Sequence, residues 1–107
     1  MTRAEIPGML KEIGLPFAYD HFAEGERVKP PFLLYLYPKS ANFSADGIAY
    51  YKKDRISIEV YTDKKDIDLE ERIEAVLDKY GFFYTKSEVW IESEKLYEVL
   101  YETEVES

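Results

Sequence analysis

The sequence predicts an α+β fold: a mostly antiparallel sheet of about five to six strands with two helices packed on it, in the order α-β-β-β-β-α-β-β. Three stretches carry that prediction. "RISIEVYT", residues 55–62, alternates with period two: Ile56, Ile58 and Val60 face one side, Ser57, Glu59 and Tyr61 the other. Residues 66–80 put Leu69, Ile73, Val76, Leu77 and Tyr80 on one apolar stripe of a helix. "FFYTKSEVWIE" and "LYEVLYETEV" meet across the polar turn "ESEK", the pattern of two adjacent strands. A one-sided strand and a one-sided helix bury their apolar faces against each other, which gives the layered architecture.

The elements follow in order. Residues 2–13 read as a short helix, with Thr2 and Glu5 at capping-box spacing and Ile6, Met9, Leu10 and Ile13 at helical intervals. Pro7 fits only near the helix start, where its missing N–H has no partner to lose, and Gly14 closes the helix. "FAYDHF", residues 17–22, alternates as a short edge strand, with Phe17, Tyr19 and His21 on one side. "AEGERVKPP" is a loop, because Pro30 and Pro31 cannot donate to a ladder. "FLLYLY", residues 32–37, is a continuous apolar run expected to be buried on both faces and ended by Pro38. "KSANFSADG", residues 39–47, reads as a turn-rich loop. Residues 48–53 and 55–62 are strands divided at Asp54. Asp66 or Asp68 caps the second helix, acids fill its first turn as the macrodipole favours, and Gly81 stops it. In the last strand Tyr97, Val99, Tyr101 and Val105 oppose Glu98, Leu100, Glu102 and Glu104. With 107 residues, no repeat and no linker, residues 1–107 are expected to form a single domain.

Composition narrows the function classes. The net charge is −8, which opposes specific nucleic-acid binding and attraction to an anionic membrane. No apolar run approaches a membrane span, and the N-terminus has no secretory h-region, so a cytoplasmic location is expected. There is no cysteine, hence no thiol nucleophile and no thiolate metal site. Ten Tyr and six Phe fit a folded core rather than a disordered chain.

No catalytic constellation emerges. His21 is the only histidine, and on a strand its neighbour Asp20 would point to the opposite face, so the pair makes a poor metal or acid–base site. From Glu88 onward there are seven Glu and one Lys, but they alternate with apolar residues, the pattern of a solvated sheet face. "DKKDIDLE" lacks the glycine of a calcium loop. No phosphate loop, dinucleotide fingerprint or G-x-S-x-G is present, and Ser44 reads as a turn serine. No catalytic, cofactor or metal residue is assigned, and a non-enzyme whose product is a contact is expected. Tyr35, Tyr37, Tyr50, Tyr51, Tyr61, Tyr97 and Tyr101 all fall on strands, where they serve either the core or an interface.

One resemblance covers nearly the whole chain. The first helix, then "FAYDHFAEGERVKPPFLLYLYP", then "DRISIEVYTDKKD" running into an amphipathic helix, resembles the tail-terminator (tail-completion, head–tail joining) proteins of long-tailed bacteriophages and prophages. The resemblance implies a structural protein without cofactor. It implies a ring, commonly a hexamer, that caps the tail tube, ends its polymerisation and helps join tail to head. It implies partners in a tail-tube protein, a head–tail connector protein and further copies of this chain, which can be monomeric before assembly. It implies a location in the cytoplasm of the bacterial host and then in the tail or neck of the virion. The candidate partner-interface residues are Tyr19, His21, Phe43, Asp46, Tyr50, Tyr61, Glu98, Glu102 and Glu104. Phe43 either docks on a partner or buries against its own sheet, and the Glu-rich last strands suit a channel that DNA crosses without sticking. Competing readings are another connector or neck component, or a small acidic prophage-encoded inhibitor that mimics DNA.

Overall fold

A computed structural model describes the backbone of residues 2–40, 43–45 and 48–106, and the side chains of 2–40 and 52–106. A 3-10 turn, Arg3–Glu5, leads into α1, Ile6–Ile13, whose first turn holds Pro7. The Glu5 carboxylate accepts from the Thr2 N–H at 3.4 Å, and Gly14 closes the helix at φ 84°. Then come β1 (Phe17–Tyr19), β2 (Phe32–Ser40), β3 (Phe43–Ala45), β4 (Ile48–Tyr51) and β5 (Lys53–Thr62). The second helix α2 (Ile67–Lys79) and the strands β6 (Thr85–Ile91) and β7 (Leu96–Glu106) complete the chain. The main sheet has the order β1-β2-β5-β7-β6, parallel only between β1 and β2, and β3–β4 form a separate two-stranded sheet. The architecture is the α+β layering read from the sequence, with β3 as an added strand.

Several local details differ from the sequence reading, among them a β6 that starts at Thr85 rather than Phe82. First, β1 ends at Tyr19 rather than reaching Phe22. Asp20 takes a left-handed φ of 62° and donates its N–H to the Tyr35 carbonyl at 2.8 Å, so it and His21 leave the strand. Second, β2 runs through Pro38, because the register shifts between Leu36 and Lys39 and a bulge has no ladder bond for Pro to break. Of that apolar run only Leu33 is fully buried, since helices cover just one face of the sheet. Third, the expected loop 39–47 contains β3. Fourth, the break between β4 and β5 falls at Lys52, and Asp54 pairs with Val105 inside the ladder.

Both helices pack on the face made by alternate residues. Leu33 lies beside Val60, Val60 beside Val99, and Ile58 beside Tyr101. These join Ile6, Met9, Leu10, Ile13, Leu69, Ile73 and Leu77 in one core, each such aliphatic side chain contributing about 1.5–3 kcal/mol by leaving water. The Asp66 carboxylate caps α2 by accepting from the Leu69 N–H at 3.0 Å. Arg72 donates to the Ile13 carbonyl at 2.9 Å and ties α2 to the end of α1.

A charged network fastens α2 to the β6–β7 edge. Glu70 is 4% exposed and meets Lys65 at 2.7 Å and Lys86 at 2.8 Å. Lys86 also reaches Glu74 at 2.7 Å, Lys65 pairs with Glu88, and the buried Tyr101 hydroxyl donates to Glu74 at 2.7 Å. Burial pushes the Glu70 and Glu74 carboxyls up, but hydrogen bonds from the lysines (and from Tyr101 to Glu74) outweigh it, so both stand below the ordinary value of 4.5. For Lys86, burial acts downward and the two carboxylates more than reverse it, holding its ammonium above the ordinary range.

Candidate interaction surface

Among the described residues no helix packs on the other face of the sheet. By strand alternation it presents Phe32, Leu34 and Leu36 from β2, Arg55, Glu59 and Tyr61 from β5, and Glu98, Leu100, Glu102 and Glu104 from β7. These residues are mostly half-buried, and Val89 on β6 is 51% exposed. Rings line its β2 side: Phe22 meets Phe32 edge-on at 5.4 Å, and Phe32 stacks on Tyr61 at 5.1 Å. The Phe22 contact places the start of the connection from β1 to β2 beside this face.

The acids of the open face are weakly neutralised. Arg55 lies 4.0 Å from Glu102 and 3.6 Å from Glu104, and Lys53 lies 4.0 Å from Glu104. Tyr61 donates to Glu59 at 2.8 Å, and burial together with that carboxylate raises the Tyr61 hydroxyl above its ordinary range. Burial, reinforced by the charge of Glu59, pushes the Glu98 carboxyl up. This face therefore combines apolar area with an excess of negative charge, which suits protein contact more than acid–base chemistry.

The interface residues read from the sequence do not gather at one site. Tyr61, Glu98, Glu102 and Glu104 share the open face. Tyr19, half-exposed, lies at the sheet edge on the covered side, stacked on Tyr37 at 5.8 Å and edge-on to Tyr35 at 5.3 Å. The Tyr37 ring carries Arg3 at 5.3 Å, and burial pushes its hydroxyl up to about 12. His21 sits in the turn after β1 with its Nδ1 3.1 Å from the Asp20 carboxylate. The expectation that these two side chains point apart is corrected, because the left-handed Asp20 replaces the strand geometry it assumed. Phe43 and Tyr50 lie on β3 and β4, but their side chains are outside the described residues, as is Asp46 altogether. Among the described residues no group of three or more His, Asp or Glu side chains is placed to hold a metal ion. No helix among them is long and apolar enough to cross a membrane.

Two features were not legible in the sequence reading. Glu70 sits one place from the apolar stripe of α2, and its partners Lys65 and Lys86 come from outside the helix. Phe83 is 90% exposed although its neighbour Phe82 packs on the core. The signal for Phe83 was the doublet itself, since adjacent residues of an extended segment point opposite ways.

Fold and surface together define a small α+β protein with one helix-covered and one open sheet face. The same fold occurs in a solved structure described as the virion of a native gene transfer agent (GTA) particle. The match to that chain has a TM-score of 0.59 at 14% identity and covers 92% of this chain and 84% of that one. No protein-family model matches the sequence, and no curated protein matches it.

Proposed function

We propose that this protein is a structural component of a phage-type particle, and specifically a tail terminator. It acts without catalysis or cofactor. Copies of the chain form a ring, a hexamer in the assembled particle, that caps the tail tube, stops its polymerisation and offers the surface to which the head is joined. Its contacts are with its own copies, a tail-tube protein and a head–tail connector protein. It assembles in the bacterial cytoplasm and ends in the neck of the virion. The observation that carries this reading is the shared fold, over 92% of this chain, with a chain of a gene transfer agent virion. The resemblance of nearly the whole sequence to tail terminators narrows it from virion component to tail end.

Charge supports the same reading. Glu98, Glu102 and Glu104 alternate along one face of β7, and a ring lined by such a face repels the DNA that must pass through it. Deleting the gene from a particle-producing host tests the proposal. Overlong, headless tails seen by electron microscopy are the expected outcome. Tails of normal length that merely lack heads point to a connector or neck component instead, and normal infectious particles remove the proposal. Replacing Glu98, Glu102 and Glu104 together by Gln is expected to lower DNA delivery while leaving ring formation intact; unchanged delivery removes the lining role.

A further inference from the structure

The two edges of the main sheet are unlike. One edge is β1, three residues long, preceded by Pro16 and followed by the left-handed Asp20. Short length and such breaks are the usual protection of a sheet edge. The other edge is β6, seven residues long, with no proline and no register shift against β7. β6 ends the strand order, so alternate residues turn their main-chain N–H and C=O away from β7, where no described strand takes them. Every residue from Thr85 to Trp90 is exposed, including Lys86, Glu88 and Trp90 on the helix-covered face. The helix layer therefore stops short of β6 and leaves space beside it for another strand. Three of the five exposed large apolar side chains among the described residues, Phe83, Val89 and Trp90, lie on this one segment.

The segment is complementary to itself. Residues 83–91 read FYTKSEVWI, and about Ser87 the chemistry matches in reverse. An antiparallel pair of β6 strands with a two-fold axis through Ser87 sets Lys86 opposite Glu88 of the other copy on the helix side. It sets Thr85 opposite Val89 on the open side, two β-branched residues side by side. Carried past the strand ends, the same register brings the ring of Phe83, 90% exposed, beside Ile91. Phe83 is held for this contact, because the Thr103 hydroxyl donates to its carbonyl at 2.7 Å. A slip of one residue would oppose the helix side of one copy to the open side of the other. The neighbouring registers are thus centred on Lys86 or on Glu88, and each sets like charges directly opposite, which is destabilising. Lys86 already meets Glu70 and Glu74, so its Glu88 contact selects the register while the main chain supplies the affinity.

We propose that β6 pairs antiparallel with β6 of a second copy about a two-fold axis at Ser87, joining two five-stranded sheets into one. The contact is isologous and complete with two copies. It goes beyond the ring reading and does not rest on it: it is a state of the free protein in which the long sheet edge is covered before assembly.

The chain has no cysteine, so engineered thiols are the only ones present. Under mild oxidation Ser87→Cys is expected to form a disulfide with its own copy, because directly opposed residues of paired strands lie about 4.5–5.5 Å apart between Cα atoms, within disulfide reach. Thr85→Cys and Val89→Cys are expected to link to each other when mixed. Each alone is expected to link at least about tenfold more slowly than Ser87→Cys, since an offset of four residues sets like positions roughly 13 Å apart. Glu88→Lys opposes Lys86 with a second lysine on both sides of the axis. It is expected to weaken the dimer at least about tenfold in analytical ultracentrifugation, with an unchanged far-UV circular dichroism spectrum. Unmodified protein that sediments only as a monomer at its highest soluble concentration overturns the proposal. So does a dimer in which Thr85→Cys links to itself as fast as Ser87→Cys, or one indifferent to Glu88→Lys. A particle protein that takes the β6 edge in place of a second copy also overturns it. Rings on purified tails, built from a protein that is monomeric in solution, remove this dimer and leave the ring reading standing.

Discussion

On the covered face of the sheet Glu70, Glu74 and Glu88 share Lys65 and Lys86 at contact distance; on the open face Glu102 and Glu104 lie 3.6–4.0 Å from Arg55 and Lys53, and Glu59 accepts from the Tyr61 hydroxyl. Both faces carry an excess of carboxylates, yet their protonation is displaced in opposite directions. Glu70 and Glu74 are held below 4.5, although burial alone would raise them, because ammonium groups touch them. Glu98 is raised, because burial and the Glu59 charge act together. Burial thus does not set the direction of the shift; the presence of a cation at contact distance does. The covered face uses its charges to hold α2 in place, while those of the open face link β5 to β7.

The most severe way to break this comparison uses two adjacent leucines of β2. Leu33→Ala is expected to lose about 2–4 kcal/mol of stability, because Leu33 is fully buried under the helices. Leu34→Ala, on the half-exposed side, is expected to lose less than about 1 kcal/mol. Urea unfolding measures both, and equal losses would mean that the open face is a second core. Next in size, Glu70→Gln is expected to cost about 2 kcal/mol, less than for a fully buried pair because Lys65 and Lys86 remain 38% and 37% exposed.

A pH titration sharpens the contrast. Glu70 and Glu74 have folded values below their unfolded ones, so their stabilisation is present at neutral pH and is lost as the pH falls below about 4.5. Glu98 has the reverse sign: its folded form holds its proton more tightly, and that contribution is lost as the pH rises through its raised value. The wild type is therefore expected to lose stability below about pH 4.5, and the Glu70→Gln, Glu74→Gln double variant to lose less there. An identical acid limb in both proteins would assign the loss elsewhere. Smallest of all, Glu98→Gln is expected to add a few tenths of a kcal/mol at pH 7, a gain that vanishes in acid. A loss at pH 7 would show that Glu98 already has a cation within the chain.

Periodicity made most of the fold legible. Ile56, Ile58 and Val60 alternate with polar residues, and α2 shows its stripe from Leu69 to Tyr80, so both were readable from spacing alone. Elements whose backbone departs from ideal geometry were not. β1 stops early because Asp20 turns left-handed, and Pro38 survives in β2 because a bulge excuses its missing N–H. β3 hides in "NFSADG", whose residues prefer turns. The surface was less legible than the fold. A glutamate every second residue shows that a face is acidic, but not which cations from distant segments reach it. A Phe-Phe doublet shows that one ring faces outward, but not that Thr103 holds its carbonyl.

The four-residue connection between β6 and β7 has a kinetic consequence. That pairing closes only Glu92–Lys95, whereas pairing β5 with β7 must first close everything from Asp63 to Lys95. Loop-closure entropy makes the hairpin the cheaper nucleus, so the sheet is expected to grow from its β6 edge inward to β5 and finally to β1. Substitutions in β6–β7 are then expected to slow folding, and those in β1 to speed unfolding instead, which stopped-flow chevrons would separate.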